Sequence, residues 1–133
     1  MPKYRLPIRV YIEDTDAGGI VYYVNYLKYF ERARTELIRS LGVDKTAVME
    51  DGSVFVVTSA SINYHAPARL DDQLESVAEV VSIGAATIEF RQSVVRSGIE
   101  LATGQVMVAL TDGTSGKPKR MPKGLRELLT LSA

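Results

Sequence analysis

The chain has 133 residues, enough for one core that buries about two thirds of the unfolded surface and too few for two. Its 16 basic and 16 acidic residues cancel, so no global field draws it to nucleic acid or to an anionic membrane. The absence of cysteine excludes a disulfide framework, a thiolate metal site and a cysteine nucleophile.

The segment Met1 to Pro7 lacks the apolar core of a signal peptide, and no later run reaches bilayer-spanning length; a cytoplasmic protein without membrane insertion is expected. From Arg5 to Glu13, Leu6, Ile8, Val10 and Ile12 alternate with Arg5, Arg9, Tyr11 and Glu13, which predicts a strand. The next stretch, Glu13 to Tyr26, compresses the carboxylate of Asp16, the pair Gly18-Gly19 and a helix start into one short segment. Unpaired N–H groups at a helix start receive developing negative charge, and glycine lets a substrate approach the main chain. Asp16 then acts on whatever those groups polarise, and an acyl carbonyl suits the slot.

Leu27, Phe30, Ala33, Leu37 and Leu41 predict an amphipathic helix over Leu27 to Leu41, stopped by Gly42. Residues 43–52 read as a polar connector. Strands are predicted over Val54 to Tyr64, Leu74 to Ile83, Thr87 to Arg96 and Ile99 to Thr111, the last three as an antiparallel meander broken at Gly84 and at Ser97-Gly98. Between the first two of these strands Pro67, Asp71 and Asp72 mark a corner, where the aspartates read as turn formers. Lys117, Lys119 and Arg120 form a solvated tail, and a short helix from Leu125 to Leu131 closes the chain. One long helix covers one face of such a sheet, leaving the other for solvent or a second subunit.

Several residues have structural readings of their own. Asp14 serves as a cap or support, the strip of Tyr22, Tyr23, Tyr26 and Tyr29 as packing and subunit contact, and His65, the only histidine, as a surface or structural residue. No metal site and no cofactor are expected.

The segment Asp14-Thr15-Asp16-Ala17-Gly18-Gly19-Ile20-Val21-Tyr22-Tyr23-Val24-Asn25-Tyr26, with Phe30-Glu31-Arg32-Ala33-Arg34, resembles the signature of the 4-hydroxybenzoyl-CoA thioesterase family of hotdog-fold proteins. Tyr64 to Asp72 is similar to a stretch of its YbgC-type acyl-CoA thioesterases. The resemblance implies a single α+β hotdog domain over residues 1–133, with one long helix wrapped by a five-stranded antiparallel sheet and subunits joined edge to edge as a homodimer or homotetramer. It also implies a thioester hydrolase that cleaves acyl-CoA to free acid and CoA. In that scheme Asp16 is the catalytic carboxylate, the Tyr23 backbone N–H polarises the thioester carbonyl, and Gly19 and Tyr22 line the acyl slot. Pantetheine runs between two subunits. Many YbgC-type chains carry histidine where this one has Tyr23, whereas the hydroxybenzoyl branch has tyrosine there; a backbone donor tolerates the exchange. The alternative is a noncatalytic acyl-CoA or acyl-carrier-protein binding module using the same pocket. A hydratase would need an Asp and His pair in one site.

Overall fold

The computed structural model describes residues 1–43 and 49–131, so most of the first half of the predicted connector lies outside the described residues. In chain order the elements are β1 (Lys3–Arg9), a 3-10 turn (Ile12–Asp14), α1 (Asn25–Ser40), β2 (Ser53–Tyr64), β3 (Gln73–Ile83), β4 (Thr87–Arg96), β5 (Ile99–Asp112) and α2 (Lys123–Thr130). The strands form one five-stranded antiparallel sheet in the order β1-β3-β4-β5-β2. The predicted meander is its centre. β2, second in sequence, lies on the far edge beside β5. Bulges at Thr58, Val81 and Leu101 interrupt the ladders, and such irregularities increase local twist, which curves a sheet around a helix.

That helix is α1. Tyr26, Tyr29, Phe30, Ala33, Leu37 and Ile38 recur with helical period and are buried against the sheet. Burying an aromatic side chain of this size is worth about 2–3 kcal/mol. Polar contacts then set the register between the layers. The Ser76 hydroxyl on β3 donates to the Tyr29 carbonyl at 2.8 Å, and the Gln92 amide on β4 donates to the Phe30 carbonyl at 2.9 Å. Gln92 in turn accepts from the Arg34 guanidinium at 2.9 Å. The short α2 buries Leu125 and Leu129, and Arg126 donates to the Gly84 carbonyl. One long and one short helix therefore accompany the sheet.

Several boundaries shift from the sequence reading, and two of the shifts have a visible cause. The first strand ends at Arg9, because the Asp14 carboxylate takes the Tyr11 N–H at 2.9 Å and the Asp14 N–H bonds the Tyr11 carbonyl at 3.0 Å. Tyr11 and Ile12 are consequently exposed. α1 begins at Asn25 because that side chain is buried against Asp14, a contact that periodicity does not register.

The corner between β2 and β3 is pinned to the end of β1. Val10 and the Asp71-Asp72 pair exchange backbone hydrogen bonds at 3.0 Å, and the Arg9 guanidinium donates to the Asp71 carbonyl at 2.8 Å. Asp71 has a φ of 72°, a left-handed conformation that aspartate tolerates better than most residues. The Asp72 carboxylate accepts the Arg69 N–H at 2.8 Å and the Arg96 guanidinium at 2.6 Å. The turn-forming reading of both aspartates is what their contacts support.

Desolvation pushes the Asp72 carboxyl upward, but the Arg69 N–H and the Arg96 guanidinium outweigh it and hold it below its usual value. A carboxyl depressed in the folded state contributes stability above its unfolded pKa, near 3.9, and that contribution is lost as pH falls through the lower folded value. We expect Asp72→Asn to cost about 1–2 kcal/mol at neutral pH, and urea melts at decreasing pH to show the gap to wild type closing below about pH 4. Gly104 gives a second test. A Cβ there would stand 2.4 Å from the Ser61 carbonyl oxygen and 2.9 Å from the Phe30 ring, so the sheet admits α1 only where no side chain intervenes. Gly104→Ala should destabilise by about 1–3 kcal/mol, read as a lowered melting temperature.

Candidate active site

The site is built on the turn before α1, and Asp14 shapes that turn. Its carboxylate accepts the Tyr11 N–H and, at 2.8 Å, the Asn25 side-chain amide, while its carbonyl accepts the Tyr22 N–H at 2.9 Å. Asp14 is 6% exposed and Asn25 7%, so these bonds sit in a setting where an unmade one is costly. Asp14 is the support that the sequence reading assigned.

Asp16 follows on the tip. One carboxylate oxygen accepts the Gly18 N–H at 2.9 Å, an Asx turn, and the backbone closes through Asp16 N–H to Ile20 carbonyl and Gly19 N–H to Asp16 carbonyl, each at 3.0 Å. Gly19 takes a φ of 74°, which the turn requires and a side chain would strain. The Asp16 side chain is exposed, with its second oxygen free of any partner among the described residues.

At the head of α1 the Tyr22 carbonyl accepts the Asn25 N–H at 2.8 Å, while the N–H groups of Tyr23 and Val24 donate to nothing among the described residues. They are the orphan donors of a helix start, where the macrodipole favours negative charge. No side chain caps this end. Tyr23 lines a cleft of ≈ 350 Å³ together with Tyr26, Tyr64, His65, Ile20 and Pro67. Asp16, Gly19 and Tyr22 lie on the turn leading into the cleft rather than in its wall. Tyr22 is 46% exposed and packs its ring on Tyr23, with centroids 5.1 Å apart.

The far wall comes from the corner. Ile20 bridges Arg69, the Val21 N–H donates to the Ala68 carbonyl at 2.8 Å, and the Leu70 N–H donates to the Gly19 carbonyl at 3.2 Å. The Tyr26 hydroxyl accepts the Ala68 N–H at 3.0 Å; burial raises its pKa, and that bond only partly offsets the rise. Two motifs far apart in sequence are thus one construction. Tyr64 and the apolar residues of the corner were missed as site residues because nothing in local periodicity reports this pairing. The signal present was the motif itself, Tyr64 to Asp72. His65 lines the cleft, and one ring nitrogen lies 2.8 Å from the Thr103 hydroxyl.

A second apolar cavity of ≈ 200 Å³ lies farther along α1, between that helix and β2, lined by Arg34, Ile38, Phe55, Val57 and Phe90. No helix among the described residues is long and apolar enough to cross a membrane.

The arrangement has counterparts. A family model for the thioesterase-like superfamily matches residues 10–129. The chain is 41% identical over 123 residues to the acyl-CoA thioester hydrolase YbgC of Shigella flexneri, covering 92% of each chain. It is 42% identical over 124 residues to the acyl-CoA thioesterase YbgC of Haemophilus influenzae, covering 92% of this chain and 91% of that one. The crystal structure of a probable thioesterase from Bartonella henselae superposes with a TM-score of 0.85 at 32% identity, over 90% of this chain and 99% of that one. The fold is the hotdog fold expected from the sequence, and the chain belongs to the thioesterase-like superfamily.

Proposed function

We propose that this chain is an acyl-CoA thioester hydrolase in which Asp16 and the backbone N–H of Tyr23 carry the reaction. The observation that carries the reading is a pair of N–H groups at the head of α1 that, among the described residues, donate to nothing, beside an apolar cleft and after a turn that carries a carboxylate whose second oxygen has no partner among those residues. The relatives act on acyl-CoA thioesters, by their names, and share the length of the chain.

The thioester carbonyl lies over the start of α1. Attack places negative charge on its oxygen, and a preorganised N–H aimed at that charge is worth about 3 kcal/mol. Asp16 supplies the other half of the chemistry. It attacks the carbonyl carbon to give a mixed anhydride that water cleaves, or it takes a proton from a water that attacks directly. Both routes place the developing charge on the same carbonyl oxygen and break the C–S bond; CoA leaves as its thiolate, which takes a proton from water in the first route and from the protonated Asp16 carboxyl in the second. Gly19 and Tyr22 border the acyl group, and a cytoplasmic location fits because acyl-CoA is an intracellular thioester. Asp16→Asn keeps the shape of the Asx turn while removing basicity and nucleophilicity. It should lower turnover by at least about a hundredfold in a thiol-release assay over short, long and aromatic acyl-CoAs, with folding unchanged. Near-full activity would remove Asp16 from the mechanism.

We also propose that the working unit is a homodimer, or a homotetramer built from it. β2 is an edge strand whose Val56 and Val57 are 45% and 48% exposed, and an exposed apolar edge is a liability that pairing with a second copy removes. Antiparallel pairing of two β2 edges about the exposed Val56 to Ser61 stretch sets the Tyr64 end of one strand beside the Ser53 end of the other. The cleft of one protomer then faces the cavity between α1 and β2 of its partner, and the substrate lies between them. Light scattering should show no monomer at micromolar concentration, and Val57→Lys should lose assembly and turnover together. A fully active monomer would contradict the shared site.

A further inference from the structure

Two consecutive peptide units form the head of α1, and a different group holds each. The Tyr22 carbonyl, in the unit that carries the Tyr23 N–H, accepts the Asn25 N–H at 2.8 Å, a bond internal to the helix start. The Tyr23 carbonyl, in the unit that carries the Val24 N–H, takes a long 3.4 Å bond from the Tyr26 N–H. Its shorter partner comes from the sheet: the Tyr64 hydroxyl donates to it at 2.9 Å from the end of β2. Because a peptide unit is planar, anchoring its carbonyl also fixes the direction of its N–H, and a bond accepted at the oxygen polarises that N–H further.

Tyr64 is well held for this task. Its ring packs edge-on against Tyr26, with centroids 5.3 Å apart, and against Tyr23 at 6.2 Å. Partial desolvation, then the neighbouring phenols of Tyr26 and Tyr23, raise its pKa, so the hydroxyl remains a donor across the neutral range. The ring also lines the cleft.

We propose that Tyr64 is a positioning residue for thioester hydrolysis: its hydroxyl holds the Tyr23–Val24 peptide so that the Val24 N–H joins the Tyr23 N–H as a second donor to the carbonyl oxygen. The inference rests on the hydrolase reading. It differs from a packing role in depending on one hydroxyl rather than on the ring.

Tyr64→Phe separates the two, since it keeps the aromatic contacts and removes only the donor. With the acyl-CoA that wild type turns over fastest, for instance butyryl-CoA or benzoyl-CoA, kcat should fall about tenfold or more while KM stays within about twofold, because the lost interaction strengthens only as the oxyanion forms. The melting temperature should not change enough to account for the loss. In the free protein the Val24 amide resonance should move upfield in a 15N–1H spectrum, as its peptide loses polarisation. A wild-type kcat, a raised KM with kcat unchanged, or an unmoved Val24 resonance would each overturn the proposal. If wild type itself turns over none of the acyl-CoAs, the hydrolase reading fails and the positioning role of Tyr64 in hydrolysis fails with it. The Val24 resonance then reports on the peptide clamp alone.

Discussion

The Asp14 carboxylate is the constraint on which the site depends. It is buried, and it is satisfied by a backbone N–H from the turn before it and by the Asn25 amide from the helix after it. Hydrogen bonds to a charged group contribute about 1.5–3 kcal/mol each, so this carboxylate ties the end of β1 to the head of α1 more firmly than local propensity does. Its carbonyl consumes the Tyr22 N–H, and the free donors of the helix therefore begin at Tyr23. Tyr29 lies beneath. Burial, then the negative charge of Asp14, raise its phenol far above the usual value, so it stays neutral beside the carboxylate.

Around that fixed point the fold assembles a cleft from pieces that are weak alone. The glycine turn has almost no side chains to pack, and it is held by backbone bonds to the corner at Ala68 and Leu70. The corner is held in turn by β1, through Val10 and Arg9, and by β4, through Arg96. Aromatic contacts among Tyr23, Tyr26, Tyr29 and Tyr64 join the helix start to β2. A carboxylate, a set of backbone donors and an apolar wall are thereby held by three different elements, which is how a preorganised site acquires rigidity.

Much of this was legible in the sequence, for stated reasons. The meander strands were legible from the breaks at Gly84 and Ser97-Gly98, and the helical stripe from Phe30 to Leu37 from its period, which reports burial on one face. The long motif around Asp16 was legible as a motif, while the Asx turn beneath it appears only in the structure. Less legible were contacts between distant segments. The run Val10 to Ile12 keeps strand alternation yet leaves the sheet because of one carboxylate at Asp14. The tail read as solvated is tied down, with the Lys119 ammonium 2.8 Å from Asp51 and Thr111 bridging Pro118. Tyr64 ends a strand by its pattern, but its hydroxyl reaches a carbonyl 41 residues away in sequence. No local rule encodes that reach.

The central claim is that the acyl carbonyl is received by the main chain at the head of α1. The most direct measurement is a crystal structure of the Asp16→Asn variant holding an intact acyl-CoA. The account predicts the thioester oxygen within hydrogen-bonding reach of the Tyr23 N–H, with the carbonyl carbon facing residue 16. A thioester bound in the cleft with its oxygen turned away from α1, toward solvent or toward His65, would contradict it.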